Sequence, residues 1–152
     1  MRAVVSRVSS ASVTLRDGPR AAERRAIGPG LLILLGVGAQ DDESLAKKVV
    51  DKVLGLRIFA NAEGKFDLSV LDTHGEILII SQFTLYGSLK GGRRPDLTAA
   101  ARPEKARPLY EKAAALLSAS GLTVRTGEFG ASMAVESVND GPVTVWVDTD
   151  YY

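Results

Sequence analysis

Hydrophobic and polar positions along this chain change period several times, and each change marks an element. Residues 2–8 and 11–16 show a period of two rich in β-branched residues, which predicts two strands, with Asp17-Gly18 as a turn after the second. "GLLILLGV" at 30–37 is continuously apolar, as expected of a strand buried on both faces. The period then lengthens: Leu45, Val49, Val53 and Leu56, spaced 4, 4 and 3, predict a helix over 42–56 with Asp41 or Asp42 as its N-cap. "AEGK" at 62–65 is a turn, and "EILIISQFTLYG" at 76–87 is the longest strand-like run. A second helix is predicted over 105–119, with Leu109, Ala113, Leu116 and Leu117 on one face and Gly121 just past its end. Pro108 would stand in its first turn or else kink it. Strands near 122–126, 131–138 and 142–148 complete the chain, the last two separated by "NDGPVT" at 139–144. Asn, Asp, Gly and Pro are ordinary hairpin residues, so this stretch either joins two strands or presents its backbone to a ligand.

Strands outnumber helices and do not alternate regularly with them. The pattern therefore predicts an α+β or closed β architecture with two main helices packed outside, and not a doubly wound sheet. A length of 152 residues suits a single domain, 1–152, with one core. There is no cysteine, which removes thiol nucleophiles, thiolate metal sites and disulfides together. The start, "MRAVVSRVSS", lacks the apolar core of a signal peptide, and no apolar run approaches the ~18 residues of a membrane span. A cytoplasmic protein with no membrane partner is expected.

Charge adds one local feature. The overall balance is 19 basic against 18 acidic residues, so nothing global points to a nucleic acid, and DNA is not expected as a partner. Yet residues 90–107 carry Lys90, Arg93, Arg94, Arg102, Lys105 and Arg107 against Asp96 and Glu104, an excess of four. Such a run either faces water or meets an anion; Gly91-Gly92 would let a ligand approach the backbone, and paired arginines suit phosphate.

Candidates for chemistry are few. His74 is the one histidine and lies in the turn-like "LDTHGE", which suits a surface residue better than a base. A Ser-His-Asp triad would have to use it. No histidine pair or H-E-x-x-H is present, no nucleotide fingerprint follows a strand, and so no metal or cofactor is expected. The carboxylate pairs Asp41-Asp42 and Asp148-Asp150 stand at element ends, where capping or solvent accounts for them. What remains is "SQFTLYG" at 81–87. Read as strand, it turns Ser81, Phe83 and Leu85 to one side and Gln82, Thr84 and Tyr86 to the other, putting hydrogen-bonding groups at a sheet edge beside a flexible glycine.

S-Q-F-T at 81–84 and N-x-G-P-x-T at 139–144, about 55 residues apart, together resemble the D-aminoacyl-tRNA deacylases, also called D-tyrosyl-tRNA deacylases. The likeness extends through "MRAVVSRVSSASV", "GLLILLGV", "LRIFANAEGKFDLSVLD", "GGRRPDLTAAARPEKARPLYE" and "TGEFGASMAVESVNDGPVTVWVD", nearly the whole chain. The resemblance implies an obligate homodimer of compact β-barrel-like domains, its active site at the subunit interface. The activity it implies is hydrolysis of the ester between a D-amino acid, or glycine, and the 3′-terminal adenosine of aminoacylated tRNA, without metal or cofactor. It further implies that the Gly141-Pro142 peptide is cis and enters the partner's site, where its carbonyl oxygens would accept from the substrate's amino group and exclude an L side chain. Asn139, Thr144 and Met133 are carried over with them as chirality-reading residues, and Arg7 as their support. Ser81, Gln82, Phe83 and Thr84 would line the ester and adenosine end, and Lys90, Arg93 and Arg94 would meet the tRNA, with binding that weakens as salt rises.

Thr84 could be a nucleophile, but the sequence supplies no base for it. The alternative has Gln82, Thr84 and backbone N–H groups position the ester while water attacks with help from the ribose hydroxyl. Two residues depart from the family's pattern: Leu97 stands where phenylalanine is usual, and Ser6 replaces a common glutamine. A non-catalytic RNA-binding module and an editor of mischarged L-amino acids are the rival readings.

Overall fold

The computed structural model describes residues 1–152. One strand organises the sheet. β1 (Arg2–Leu15) pairs along one edge with β3 (Gly30–Gly36) and then β2 (Arg24–Ile27), and along the other with β8 (Met133–Asp148), all antiparallel. Beyond β3 come β6 (Glu76–Ser81) and β7 (Val124–Thr126), both joined in parallel. A small hairpin of β4 (Phe59–Ala60) and β5 (Phe66–Leu68) stands apart, its turn at 62–65 as the sequence predicts. The sheet curls until Arg25 of β2 donates to the carbonyls of Thr126 and Gly127 at the end of β7, at 2.8 and 3.3 Å, leaving a nearly closed, barrel-like α+β fold.

β3 and β6 are covered on both faces, which accounts for their unbroken apolar runs. On one face Leu31, Ile33, Leu35, Ile77 and Ile79 join Val49, Val53, Leu109, Ala113 and Leu117 of the two helices in the main core. On the other, Leu32, Leu78 and Ile80 meet Val8, Ala11, Val13 and Ile27 in a smaller one. The helices α1 (Glu43–Leu54) and α2 (Pro103–Ser118) pack against each other outside the sheet. Asp42 is the N-cap of α1, accepting from the Leu45 amide at 3.0 Å. Neither helix is long and apolar enough to cross a membrane.

Four predicted boundaries differ. Residues 2–8 and 11–16 belong to one strand, not two: the buried positions pass from Ala3 and Val5 to Val8, Ala11 and Val13, and register shifts in the pairing with β8 absorb the change without breaking the chain. Residues 131–138 and 142–148 likewise form one strand, because both halves pair with β1 and not with each other. The run 76–87 is strand only to Ser81. α2 begins two residues earlier than predicted, with Pro103 at its first position, so Pro108 lies inside the helix and not in its first turn.

The parallel join of β3 and β6 requires glycine at its start. A Cβ on Gly30 would lie 1.9 Å from the Glu76 carbonyl oxygen, with no side chain able to yield. Gly30→Ala is expected to lower stability in urea denaturation by about 3 kcal/mol or more. Gly91→Ala, where nothing lies within 4 Å, is expected to stay within about 0.5 kcal/mol of the parent.

Candidate active site

At the end of β6 the chain leaves the sheet. Gln82 still donates its backbone N–H to Leu35 at 2.8 Å, but residues Phe83–Tyr86 then form a 3-10 turn, closed by Leu85 N–H to Gln82 O at 3.3 Å and Gly87 N–H to Thr84 O at 2.9 Å. The two-sided alternation expected of 81–86 is therefore absent; once its backbone amides are satisfied within the turn, the segment has no reason to stay extended. The Gln82 side-chain amide donates to the Thr84 hydroxyl, which is that hydroxyl's hydrogen-bond partner in this chain. No carboxylate or imidazole reaches it. Phe83 is 57% exposed.

Ser81, Gln82 and Phe83 form one wall of a cleft of about 580 Å³. Arg102, the N-cap of α2, and Tyr110 within that helix also line it, with Leu97 and Phe129 completing the sides. The Tyr110 hydroxyl donates to the Ile79 carbonyl at 2.9 Å, and its ring packs at 5.9 Å on Phe129, over which the Arg107 guanidinium lies at 4.9 Å. Leu97 thus lines the cleft as an aliphatic wall. Lys90, Arg93 and Arg94 are exposed on the loop before it, which a pair of backbone bonds between Ser88 and Asp96 closes at 2.8 and 2.9 Å. No carboxylate pairs with these three cations.

The second motif is built differently. Ser6 faces Thr144 and Val8 faces Asn139, so Asp140 to Val143 stand opposite the single residue Arg7; Asp140 to Pro142 bulge out exposed, and Val143 returns to the main core. Asn139 closes the excursion: its Oδ1 accepts from Val143 N–H at 2.7 Å and its Nδ2 donates to the Thr144 hydroxyl at 2.8 Å. Ser6 Oγ adds a bond to the same hydroxyl at 3.1 Å, so the serine substitutes for the larger amide without leaving Thr144 unpartnered. Gly141 has φ +138°, and a Cβ there would meet Val143 at 2.6 Å. The Gly141-Pro142 peptide is cis. Arg7 fills the gap beneath: Nε donates to the Asp140 carbonyl at 3.0 Å, Nη1 to the Ile58 carbonyl at 2.6 Å, and the guanidinium lies 5.6 Å from the centre of the Phe66 ring.

One chain does not bring the two motifs together. Ser81 lies in the row of Leu35 and Ala3, Arg7 in the row of Leu31 and Ile77, four residues along and, at β8, three strands across. At ordinary strand spacings that is roughly 15–20 Å. Met133 joins neither group; paired with Leu15, it sits beneath Gly127 and Ile80. Asp41, expected at a cap or in solvent, is 5% exposed and accepts from the Met1 amino group at 2.9 Å. Tyr110 and Phe129 are not marked as site residues by the sequence, because only tertiary folding carries them to the cleft; Arg102 is marked there only as part of the basic run 90–107.

Comparison with known proteins gives a consistent picture. A family model described as D-Tyr-tRNA(Tyr) deacylase matches residues 4–148. A D-aminoacyl-tRNA deacylase of Symbiobacterium thermophilum is 49% identical over 150 residues, covering 99% of this chain and 97% of that one. Another, of Roseiflexus castenholzii, is 54% identical over 149 residues, covering 98% and 92%. Among solved structures, a c-Myc DNA unwinding element binding protein superposes with TM-score 0.89 at 38% identity, covering 98% of this chain and 99% of that one. A probable eukaryotic D-amino acid tRNA deacylase shares the fold at TM-score 0.82 and 16% identity, covering 96% and 97%.

Burial pushes the Tyr110 phenol from the ordinary 10.0 up to about 12. Its folded value exceeds its unfolded one, so its contribution to stability is complete below pH 10 and is lost as pH rises toward 12. Denaturation midpoints measured across that window are expected to fall, and Tyr110→Phe is expected to lessen the fall.

Proposed function

The chain belongs to the D-Tyr-tRNA(Tyr) deacylase family, and from that premise we propose that it hydrolyses the ester joining a D-amino acid to the 3′-terminal adenosine of tRNA. Water adds to the ester carbonyl, the ribose oxygen leaves with a proton, and free D-amino acid and tRNA result. Glycine, having no side chain to exclude, is removed in the same way. The observation that carries this reading is the outward excursion at 139–144, closed at its base by Asn139 and braced by Arg7. A rigid, exposed main chain is suited to reading the substrate's α-carbon by its carbonyl oxygens. An L-amino acid would drive its side chain into that backbone, whatever the side chain is.

The cleft beside Ser81, Gln82 and Phe83 suits the terminal adenosine, with Phe83 and Phe129 offering aromatic surface to the base. Lys90, Arg93 and Arg94, exposed and free of carboxylate partners, suit the phosphates that precede it. Thr84 receives a hydrogen bond from Gln82 and has no base beside it, which supports a positioning role. Gln82 and nearby backbone N–H groups then stabilise the oxyanion, and a ribose hydroxyl assists the attacking water.

Because the two motifs of one chain are too far apart to share a substrate, the protein works as a homodimer in which each excursion enters the other subunit's cleft. The free edge of β8, with Val135, Val138 and Trp146 exposed at 40%, 59% and 49%, supports this arrangement. Each subunit acts as one domain, in the cytoplasm where charged tRNA is found.

Single-turnover release of D-tyrosine and L-tyrosine from charged tRNA tests the reading. The D ester is expected to be lost at least about 10⁴-fold faster than the L ester, with no effect of chelator. Cleavage of neither, or of both alike, would contradict it and favour a binding module or an L-editing enzyme. In the same assay Thr84→Ala is expected to keep most of the rate; a loss of several orders, with a trappable acyl-enzyme in the parent, would make Thr84 the nucleophile.

A further inference from the structure

The 3-10 turn carrying Phe83 and Thr84 has no anchor of its own: none of its four residues is buried and no side chain caps its start. It is tied down through its last residue. The Tyr86 hydroxyl donates to Asp41 Oδ2 at 3.2 Å. That oxygen also accepts from the Gly38 N–H at 2.6 Å, while Oδ1 takes the Met1 amino group at 2.9 Å, so the carboxylate is a fixed post. The Tyr86 ring lies so close to Gly38 that a Cβ there would sit 2.7 Å from it, and a Cβ on Gly36 would sit 2.9 Å from the Gln82 carbonyl oxygen. Arg2 stacks on the same ring at 4.4 Å, donates to the Leu85 carbonyl at 3.2 Å and pairs with buried Asp148 at 2.9 Å. Tyr86 belongs to neither hydrophobic core. Burial, reinforced by the Asp41 charge, raises its phenol well above the usual tyrosine value and keeps it a donor.

We infer that Tyr86 is a positioning residue for the deacylation site: its bond to Asp41 sets where Gln82, Phe83 and Thr84 stand against the ester. This rests on the hydrolytic reading of the cleft. A turn held only by local bonds at the surface would sample several orientations, and a near-attack geometry tolerates little of that. The bracket removes the freedom from a direction that leaves the cleft open, since Asp41 and Arg2 approach from the sheet side and neither lines the cavity.

Tyr86→Phe removes the one bond and keeps the ring against Gly38 and Arg2. The single-turnover rate on D-tyrosyl-tRNA at saturating enzyme is expected to fall about tenfold, as loss of one ordinary hydrogen bond predicts. Affinity for the charged tRNA should stay within about twofold, because a positioning bond acts after binding. Amide exchange at Leu85 and Gly87, which close the turn, should quicken. A double cycle with Asp41→Asn should show rate losses that do not add, since both substitutions break the same bond. An unchanged rate with unchanged exchange, or a rate loss equal to the loss of folded protein, would overturn the inference. If the parent fails to cleave the D ester, the hydrolytic reading itself fails, and the exchange rates alone still decide whether Tyr86 holds the turn.

Discussion

Four residues of β8 face one residue of β1, and the rest of the molecule is arranged around that mismatch. β1 cannot lengthen to match them. Its first half is paired with β3 on the far edge, its second half with β2, and its inward side chains enter both cores. Shifting it by one residue would turn every one of those side chains to the wrong face. The surplus is therefore expelled as the excursion 140–142, with Val143 returning to the core, and the gap beneath it is occupied by a guanidinium that satisfies carbonyls on both sides, Asp140 on the excursion and Ile58 ahead of the small hairpin. Arginine suits that place because its planar fork donates in several directions at once.

The same constraint separates the two candidate halves of the site. The turn after β6 is placed by the parallel row Leu35–Ser81, and the excursion by the antiparallel row of Arg7. Both rows are fixed by buried side chains, so no loop movement brings them together. The proposed function resolves the separation with a second copy, and the exposed apolar residues along β8 give that copy a surface to cover. On that proposal substrate specificity would come from backbone held by a sheet, which would let a protein with a single, surface-exposed histidine discriminate stereochemistry.

The fold was legible wherever one physical cause dominated the pattern. β3 and the first six residues of the run 76–87 read as buried strands because helices cover one face and the smaller core the other. α1 read correctly because its apolar stripe and its Asp42 cap are local. Where two causes competed, the sequence misled. The polar pair Ser9-Ser10 imitates a loop, yet β1 runs on through it, because Ser10 pairs with Val138 of β8 while β3 ends its pairing at Val8 and β2 takes over at Ala11. The four residues Asn139 to Pro142 imitate a hairpin, yet both flanks belong to the same partner strand. Gln82 to Tyr86 alternates as a strand would, but β3 ends at Gly36 and offers the segment nothing further to pair with. In the site, the two motifs and Arg7 were visible through the resemblance, while the groups that hold the 3-10 turn from behind were not. Tyr86 meets Asp41 across 45 residues of chain and Arg2 meets Leu85 across 83, through contacts that no local spacing encodes.

The central claim is that a working site is made from two chains, and mixing defective subunits tests it most directly. Gly141→Val spoils the excursion, since a side chain there is strained at φ +138° and collides with Val143; Gln82→Ala with Phe83→Ala spoils the cleft. Each variant alone should fail to cleave D-tyrosyl-tRNA. Subunits exchanged in equal amounts should regain about one quarter of the parent's activity, because half of the dimers are mixed and each of those holds one intact site. No recovery, with exchange of subunits verified by mass, would mean that each site is built within a single chain, and the account given for the excursion would be wrong.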